Sequence, residues 1–449
     1  MFLPTKVKQK LAAAAATSAE DVTAGAASAG SNATPTSARS KGEDAAAKVK
    51  MGLGNIAEIQ KKLEEERSKL RLWIIKAKLE WEEKQERIMR GQERGVTNDE
   101  EYYICKEGEV FGPSSEMKCE GNIGRGVFSS VYKCKHVKKG IELAVKFVRS
   151  NSMMTKAAEK EVETYRKLKK ESALKDAEAA AYIMWLTEPE TFFHQGHLCM
   201  VFDLQKCDLR EALKKYGQGR GLPLQTVVQY SRQVFLALRL LRQLAIIHAD
   251  LKPDNLLMSQ NKTEIKVCDF GSAFSVKEQV NTAYLQPRYY RAPEVMIGTT
   301  YDTQIDLWSA AVTLFELGTG KILFTGRSNN LMLRQLLEVC GSMPKRMATS
   351  GSCSGKHFNK DGDFLHKDPD SLTGLPEAMS MKHFTKPLKP VQAMLNNILK
   401  EPPPNADTRT QERLLPRMGD LVAKCLQLDP AARLLPHQAL EHDFYKKDR

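Results

Sequence analysis

The order of textures along the chain is its strongest constraint on fold. From about residue 118, short valine-rich pieces (GVFSSVYKCKHV, IELAVKFVRS) alternate between turns, as antiparallel strands do. TKAAEKEVETYRKLKK then reads as a helix. Beyond MVFDL, apolar residues recur every three to four positions in LREALKKYG, LQTVVQYSRQVFLALRLLRQL, DLWSAAVTLFELGTG and GDLVAKCLQLD. Strands first and helices afterwards predict an α+β chain of two lobes. At 449 residues and 42% hydrophobic, the chain can bury a large core, and it contains no internal repeat.

The N-terminal part is different. Residues 1–50 are Ala, Ser, Thr, Gly and Lys with almost no large apolar side chains, so burial cannot offset chain entropy and a disordered tail is expected. Three lysines before the alanine run of MFLPTKVKQKLAAAAATSAEDV hint at a targeting peptide, but Glu20, Asp21 and the lack of a leucine-rich stretch favour a tail. Residues 51–95 read as one long amphipathic helix. Ile56, Leu63, Leu70 and Ala77 recur every seven residues, and Ile74, Trp81 and Ile88 continue a shifted stripe. Such a helix either packs on its own globular domain or engages a partner or a second copy. Residues 96–117 form a lead-in segment. The apolar runs SAAVTLFELG and LWII fall short of the ~18 residues a membrane span requires.

The formal charge is +13, and residues 1–100 carry 18 Lys and Arg against 15 Asp and Glu. Ten of the excess charges therefore lie later, which favours acidic partners such as ATP, phosphorylated segments or RNA. Nine scattered cysteines, without C-x-x-C or metal-type pairing to histidine, predict reduced thiols. Cys199, Cys207 and Cys268 read as small buried apolar residues.

Chemistry concentrates in a few short stretches. In GRGVFSSV, Gly124 and Gly126 let backbone N–H groups approach phosphates; Ser129 stands at the third glycine position and no helix follows, which argues against a dinucleotide-binding βαβ unit. Lys146 of AVKF and Glu161, fifteen residues on, could form a pair in which the carboxylate holds a phosphate-bridging lysine. HADLKPDN, residues 248–255, follows an apolar run. Asp250 there could accept a proton from an attacking hydroxyl, and Lys252 supplies a point charge. Asn255 and Asp269, the latter in KVCDFGSAF, are hard oxygen ligands suited to Mg²⁺. Phosphoryl transfer needs positioning and charge neutralisation, and this set supplies both.

These motifs, closed by RAPEV, occur in the order and at the intervals of a protein kinase domain, which the chain resembles over about residues 118–445. The resemblance implies a β-rich N-lobe at 118–205, a helical C-lobe at 206–449 and an insert near 341–415. It implies ATP and Mg²⁺ as cofactors, with Asp250 as catalytic base, Lys252 on the γ-phosphate, Lys146 on the α/β-phosphates braced by Glu161, and Asn255 and Asp269 on the metal. The nucleotide site would comprise Ile123, Gly124, Gly126, Val131, Ala144, Lys146, Phe202, Asp203, Gln205, Asn255 and Leu257. Phe202 would sit at the back of the adenine pocket and Asp203 to Gln205 at the hinge. Lysine at 252 suits a serine/threonine kinase. Asp306 and the Glu294–Arg433 pair would brace the C-lobe.

Ala249 stands where most kinases place an arginine that pairs with an activation-loop phosphate. Tyr284, followed by Arg288 and Arg291, would provide another regulatory phosphate and its partners. His-Ala-Asp with one activation-loop tyrosine resembles the homeodomain-interacting kinases and the pre-mRNA-processing kinases. Stretches such as AYLQPRYYRAPEVMIGTTYDTQIDLWS, LQLDPAARLLPHQALEHDF and the lead-in EEYYICKEGEVF resemble the second. Pro287 departs from the family's serine. The resemblance implies a nuclear kinase for spliceosomal splicing factors, with neither sequence-specific nucleic-acid nor membrane binding, and a possible helix-mediated partner through 51–95. The alternatives are a homeodomain-interacting or dual-specificity-type kinase acting on transcription regulators, and a scaffold with a kinase fold.

Overall fold

A computed structural model describes residues 38–89, 101–280, 282–367, 376–397, 403–404 and 406–446. The tail expected at residues 1–50 lies outside the described residues up to 37. Helix α1 runs from Ala38 to Met89 and so begins before the expected residue 51. The strong helix formers Ala45 to Ala47 and Lys48 carry the helix further back than apolar spacing alone would. Residues 90–100 of the expected helix and lead-in are not among those described. The chain divides after Leu70 into two compact units, Met1–Leu70 and Arg71–Arg449. In the first, Lys62 pairs with Glu58 one helical turn away at 2.9 Å, both exposed.

The second unit holds the two lobes. A six-stranded antiparallel sheet has the order β1-β2-β3-β4-β6-β5, from Val110–Phe111 (β1), Met117–Arg125 (β2), Ser129–His136 (β3), Glu142–Val148 (β4), Leu186–His194 (β5) and His197–Asp203 (β6). Helix α2, Ser152–Lys175, follows β4, its first turn capped by the Asn151 side chain on the Met153 N–H. Alternation decides the faces. Leu143, Val145 and Phe147 of β4 are buried in a small core with Tyr132 and Cys134 of β3 and Cys199 and Val201 of β6. The lead-in joins this core through Tyr103, Cys105 and Phe111, with Tyr103 stacked on Phe147 at 4.7 Å. The opposite face carries Ala144 and Lys146, only half-buried.

The larger core surrounds α3 (Leu224–Gln243) and α4 (Gln304–Thr319). Every residue of α4 is buried. Short strands pin the loops that matter. Strand β7 (Cys207–Asp208) pairs with β9 (Leu256–Met258), which pairs with β10 (Ile265–Val267). Strand β8 (Ile246–Ile247) pairs with β11 (Phe274–Ser275). Residues 248–255 thus leave β8 and enter β9, while 268–273 leave β10 and enter β11, so the two polar loops lie side by side. Asp306 accepts the N–H groups of His248 and Ala249 at 2.7 and 2.9 Å, and burial raises its pKa. Arg433 forks onto Glu294 at 2.8 and 3.1 Å, fully buried. Both contacts brace the C-lobe as the kinase resemblance implied.

The insert region contains a helix at Lys345–Ser350 and a two-stranded ribbon, β12 (Phe364–His366) with β13 (Glu377–Met379). Phe358, Phe364 and Phe384 anchor it to the main core. Helix α5, Thr408–Cys425, continues beyond it, its N-terminus capped by Asp407. All nine cysteines are free, and five are buried. No described helix is long and apolar enough to cross a membrane.

Candidate active site

The half-buried face of the sheet collects the residues expected around a nucleotide. Directly paired residues share a face, and Val131 pairs with Gly124 and Lys146, Lys146 with Met200, and Ala144 with Phe202. Gly124, Val131, Ala144, Lys146 and Phe202 therefore form one incompletely buried strip. Ile123 lies beside it, half exposed. Nothing inside the protein requires glycine at 126, where an added Cβ would have no neighbour within 4 Å; at Gly124 it would meet only Val131, at 3.8 Å. That space suits a phosphate laid against the backbone. At the end of β6, Asp203 is exposed and accepts the Thr187 hydroxyl at 2.9 Å, and the Gln205 amide donates to the Asp203 carbonyl at 3.3 Å. Leu257 is half-buried in β9.

Lys146 Nζ contacts both carboxylate oxygens of Glu161, at 3.0 and 2.9 Å, and lies 3.6 Å from Asp269. Burial opposes the ammonium charge, but Glu161 and Asp269 outweigh it and hold the pKa above that of an ordinary lysine. Burial raises Glu161, with Lys146 acting against it. Gly271 allows this crowding, since a Cβ there would approach Asp269 Oδ1 to 3.2 Å and Glu161 Oε2 to 3.5 Å.

The two pinned loops bring the remaining groups together. Asn255 Nδ2 donates to the Asp250 carbonyl at 2.7 Å, and the Asn255 carbonyl accepts the Cys268 N–H at 3.0 Å. His248 spans the same gap, its ring 2.9 Å from the Cys268 carbonyl and 4.9 Å from the Phe270 ring. Ala249 and Asp269 both adopt left-handed backbone, with φ of 62° and 61°. For a residue with a Cβ this costs energy and is characteristic of constrained sites. Lys252 Nζ meets Asp250 Oδ1 at 3.0 Å. Burial would raise the pKa of Asp250, but Lys252 and Lys78 overcome it and hold the carboxylate ionised. Asp269 is likewise lowered despite burial, by Lys78, Lys146 and Lys252.

No cluster of three or more His, Cys, Asp or Glu able to hold a metal occurs among the described residues. Asn255 and Asp269 offer two hard oxygens instead, which suits Mg²⁺ completed by phosphate oxygens and water.

Tyr284 is half exposed, with the Arg291 guanidinium 5.4 Å from its ring. Arg291 is itself buried. It donates to the Gln286 carbonyl and to Asn329 Oδ1, and burial brings its pKa down to about 10.

Two residues of the site escaped the sequence reading. Tyr102 donates its hydroxyl to the Gly126 carbonyl at 2.8 Å, with Arg125 and Arg149 stacked over its ring at 3.9 and 4.6 Å. Lys78, from α1, reaches Asp250 Oδ2 and lies 3.7 Å from Asp269. A lysine on the inward face of an amphipathic helix was the available signal for Lys78; Tyr102 left none.

Residues 117–445 match the family described as protein kinase domain. The chain is 38% identical over 330 residues to serine/threonine-protein kinase prp4 of Schizosaccharomyces pombe, covering 73% of this chain and 66% of the relative. It is 35% identical over 347 residues to serine/threonine-protein kinase prpf4B of Dictyostelium discoideum, 77% of this chain and 41% of the relative. A dual specificity protein kinase YAK1 homolog of Arabidopsis thaliana is 32% identical over 345 residues, 72% and 35%. The chain thus spans between about a third and two thirds of the length of these relatives.

Proposed function

Because the chain belongs to the protein kinase family, we propose that it transfers the terminal phosphoryl group of ATP to serine and threonine hydroxyls of protein substrates. The carrying observation is the intact Lys146–Glu161 pair beside the converging Asp250, Asn255 and Asp269. In this reading Lys146 orients the α/β-phosphates and Glu161 holds Lys146 in place. Asp250 receives the proton of the attacking hydroxyl, and Lys252 stabilises charge on the group in transit. Asn255 and Asp269 would hold magnesium, which when bound neutralises phosphate charge. The strip from Ile123 to Phe202, with Leu257, would receive the base, and Asp203 to Gln205 would present backbone to it.

Two named relatives are serine/threonine-protein kinases, in keeping with Lys252. The motif resemblance to pre-mRNA-processing kinases extends the proposal to splicing factors as substrates, to the nucleus as location and to activation by phosphate on Tyr284. The dual-specificity name of the YAK1 homolog supports a second reading, a dual-specificity-type kinase, to which the motif resemblance adds transcription regulators as substrates.

Purified chain incubated with Mg-ATP and splicing proteins tests the main reading. Transfer to serine and threonine is expected, falling by about 10²–10⁴ in Asp250→Asn and lost in Lys146→Met. Unchanged rates in both variants would refute these roles, and preferential transfer to transcription factors would favour the second reading.

A further inference from the structure

We propose that residues 71–84 of α1 are a ligand of the chain's own catalytic cleft, seated where substrate and metal must go. The inference rests on the phosphotransferase reading of the same site.

The seat is made by contacts on several sides of the cleft. Trp73 packs on Phe128, at the tip of the glycine-bearing loop, with ring centres 6.0 Å apart. Arg71 is buried, pairs with Glu278 beyond β11 and lies over the Phe274 ring at 4.5 Å. Ile74 and Ile75 are buried, and Ile75 belongs to the main hydrophobic core. Lys78 reaches Asp250 and, at 3.7 Å, Asp269. One turn on, the Glu82 carboxylate is largely desolvated, which raises its pKa, within the fields of Lys252, Arg291 and Arg288. Positions 71, 74, 75, 78 and 82 fall on one face of a helix. A helix covering the cleft merely as a lid would place apolar residues over the charges; this one places a cation on the carboxylates and a carboxylate among the cations.

That arrangement is chemically exclusive. Both oxygens of Asp250 are engaged, Oδ2 by Lys78 and Oδ1 by Lys252. A substrate hydroxyl approaching Oδ2 therefore meets the Lys78 ammonium of the helix, and one approaching Oδ1 meets that of Lys252. The Lys78 ammonium also puts a positive charge beside Asp269, where the divalent cation would bind, so metal and lysine compete for the same carboxylate. Meanwhile Lys146–Glu161 is formed, and Phe270 is buried against Tyr165 and His248. The groups behind the cleft are assembled and only its mouth is filled.

Two variants of the full-length chain, Lys78→Ala and Ile75→Asp, test the proposal through different contacts. Their affinity for Mg-ADP and their rate of phosphate transfer to a generic serine/threonine substrate, casein, are compared with the wild type. If the cleft is open in fewer than about one molecule in ten, apparent affinity should tighten roughly tenfold in both variants. Transfer should rise by at least a similar factor. Raising magnesium should narrow the gap between wild type and Lys78→Ala, because the metal competes with the lysine. Unchanged nucleotide affinity in Lys78→Ala, or weaker affinity in both variants, overturns the proposal and reduces the helix to a structural brace. If affinity tightens but no variant transfers phosphate, the self-blocking contact stands and the phosphotransferase reading fails. If wild type transfers phosphate and neither variant alters rate or affinity, the phosphotransferase reading stands and the self-blocking contact falls.

Discussion

Tyr102 ties the lead-in to the glycine-bearing loop through one hydroxyl on the Gly126 carbonyl, with two guanidiniums holding its ring. A neutral hydrogen bond of this kind contributes about 0.5–1.5 kcal/mol. Tyr102→Phe keeps the ring contacts and removes only the hydroxyl's bonds, to the Gly126 carbonyl and, at 3.3 Å, to the Val127 carbonyl. Steady-state kinetics at varied ATP should therefore show KM rising about two- to tenfold with kcat little changed; an unaltered KM would show that the loop is held by other means. Tyr284 is a different case, since its proposed role depends on a modification. Phosphate there would add charge beside Arg291, whose donors are held by Gln286 and Asn329, and Arg288, four residues on, is the second cation proposed to receive it. Tyr284→Phe and Arg288→Ala should each lower transfer about tenfold or more, given charge-assisted bonds of about 1.5–3 kcal/mol. Mass spectrometry of active protein with Tyr284 unmodified would reject the idea.

Among the elements, the insert shows how a single buried imidazole can make stability depend on pH. His357 is buried, and its Nδ1 accepts the Asn330 amide at 3.2 Å. Burial, reinforced by Lys367 and Lys356, lowers its pKa from 6.5 to about 4. The folded state thus resists a proton that the unfolded chain takes up below about pH 6.5. The neutral histidine's contribution is complete above that pH and is lost as pH falls towards 4, an amount on the order of 3 kcal/mol. Melting temperature should decline over this window in the wild type and decline less in His357→Gln. Parallel curves would exclude His357 as the titrating group.

Across the molecule, legibility followed sequence distance. Asp250, Lys252 and Asn255 lie within six residues, so their chemistry was visible as a string, and valine-rich pieces set between turns marked β3 and β4. Lys146 and Glu161 were paired from a strand followed by a helix, and the contact is present. By contrast, Lys78 and Asp250 stand 172 residues apart, and no local pattern announces a docking between such distant segments. The same holds for Tyr102 with Gly126, and for the ribbon inside the insert, whose strands are three residues each. The start of α1 was missed because alanine and lysine satisfy both a solvated coil and a helix. One consequence follows from the cleft's occupant being part of the same polypeptide. A tethered ligand keeps its local concentration, of millimolar order for short linkers, however dilute the protein becomes. Dilution cannot release it. Ligands that reach the site with a divalent metal must first evict a neighbour that never diffuses away, so affinities for them read on an isolated catalytic domain would overstate those on the whole chain.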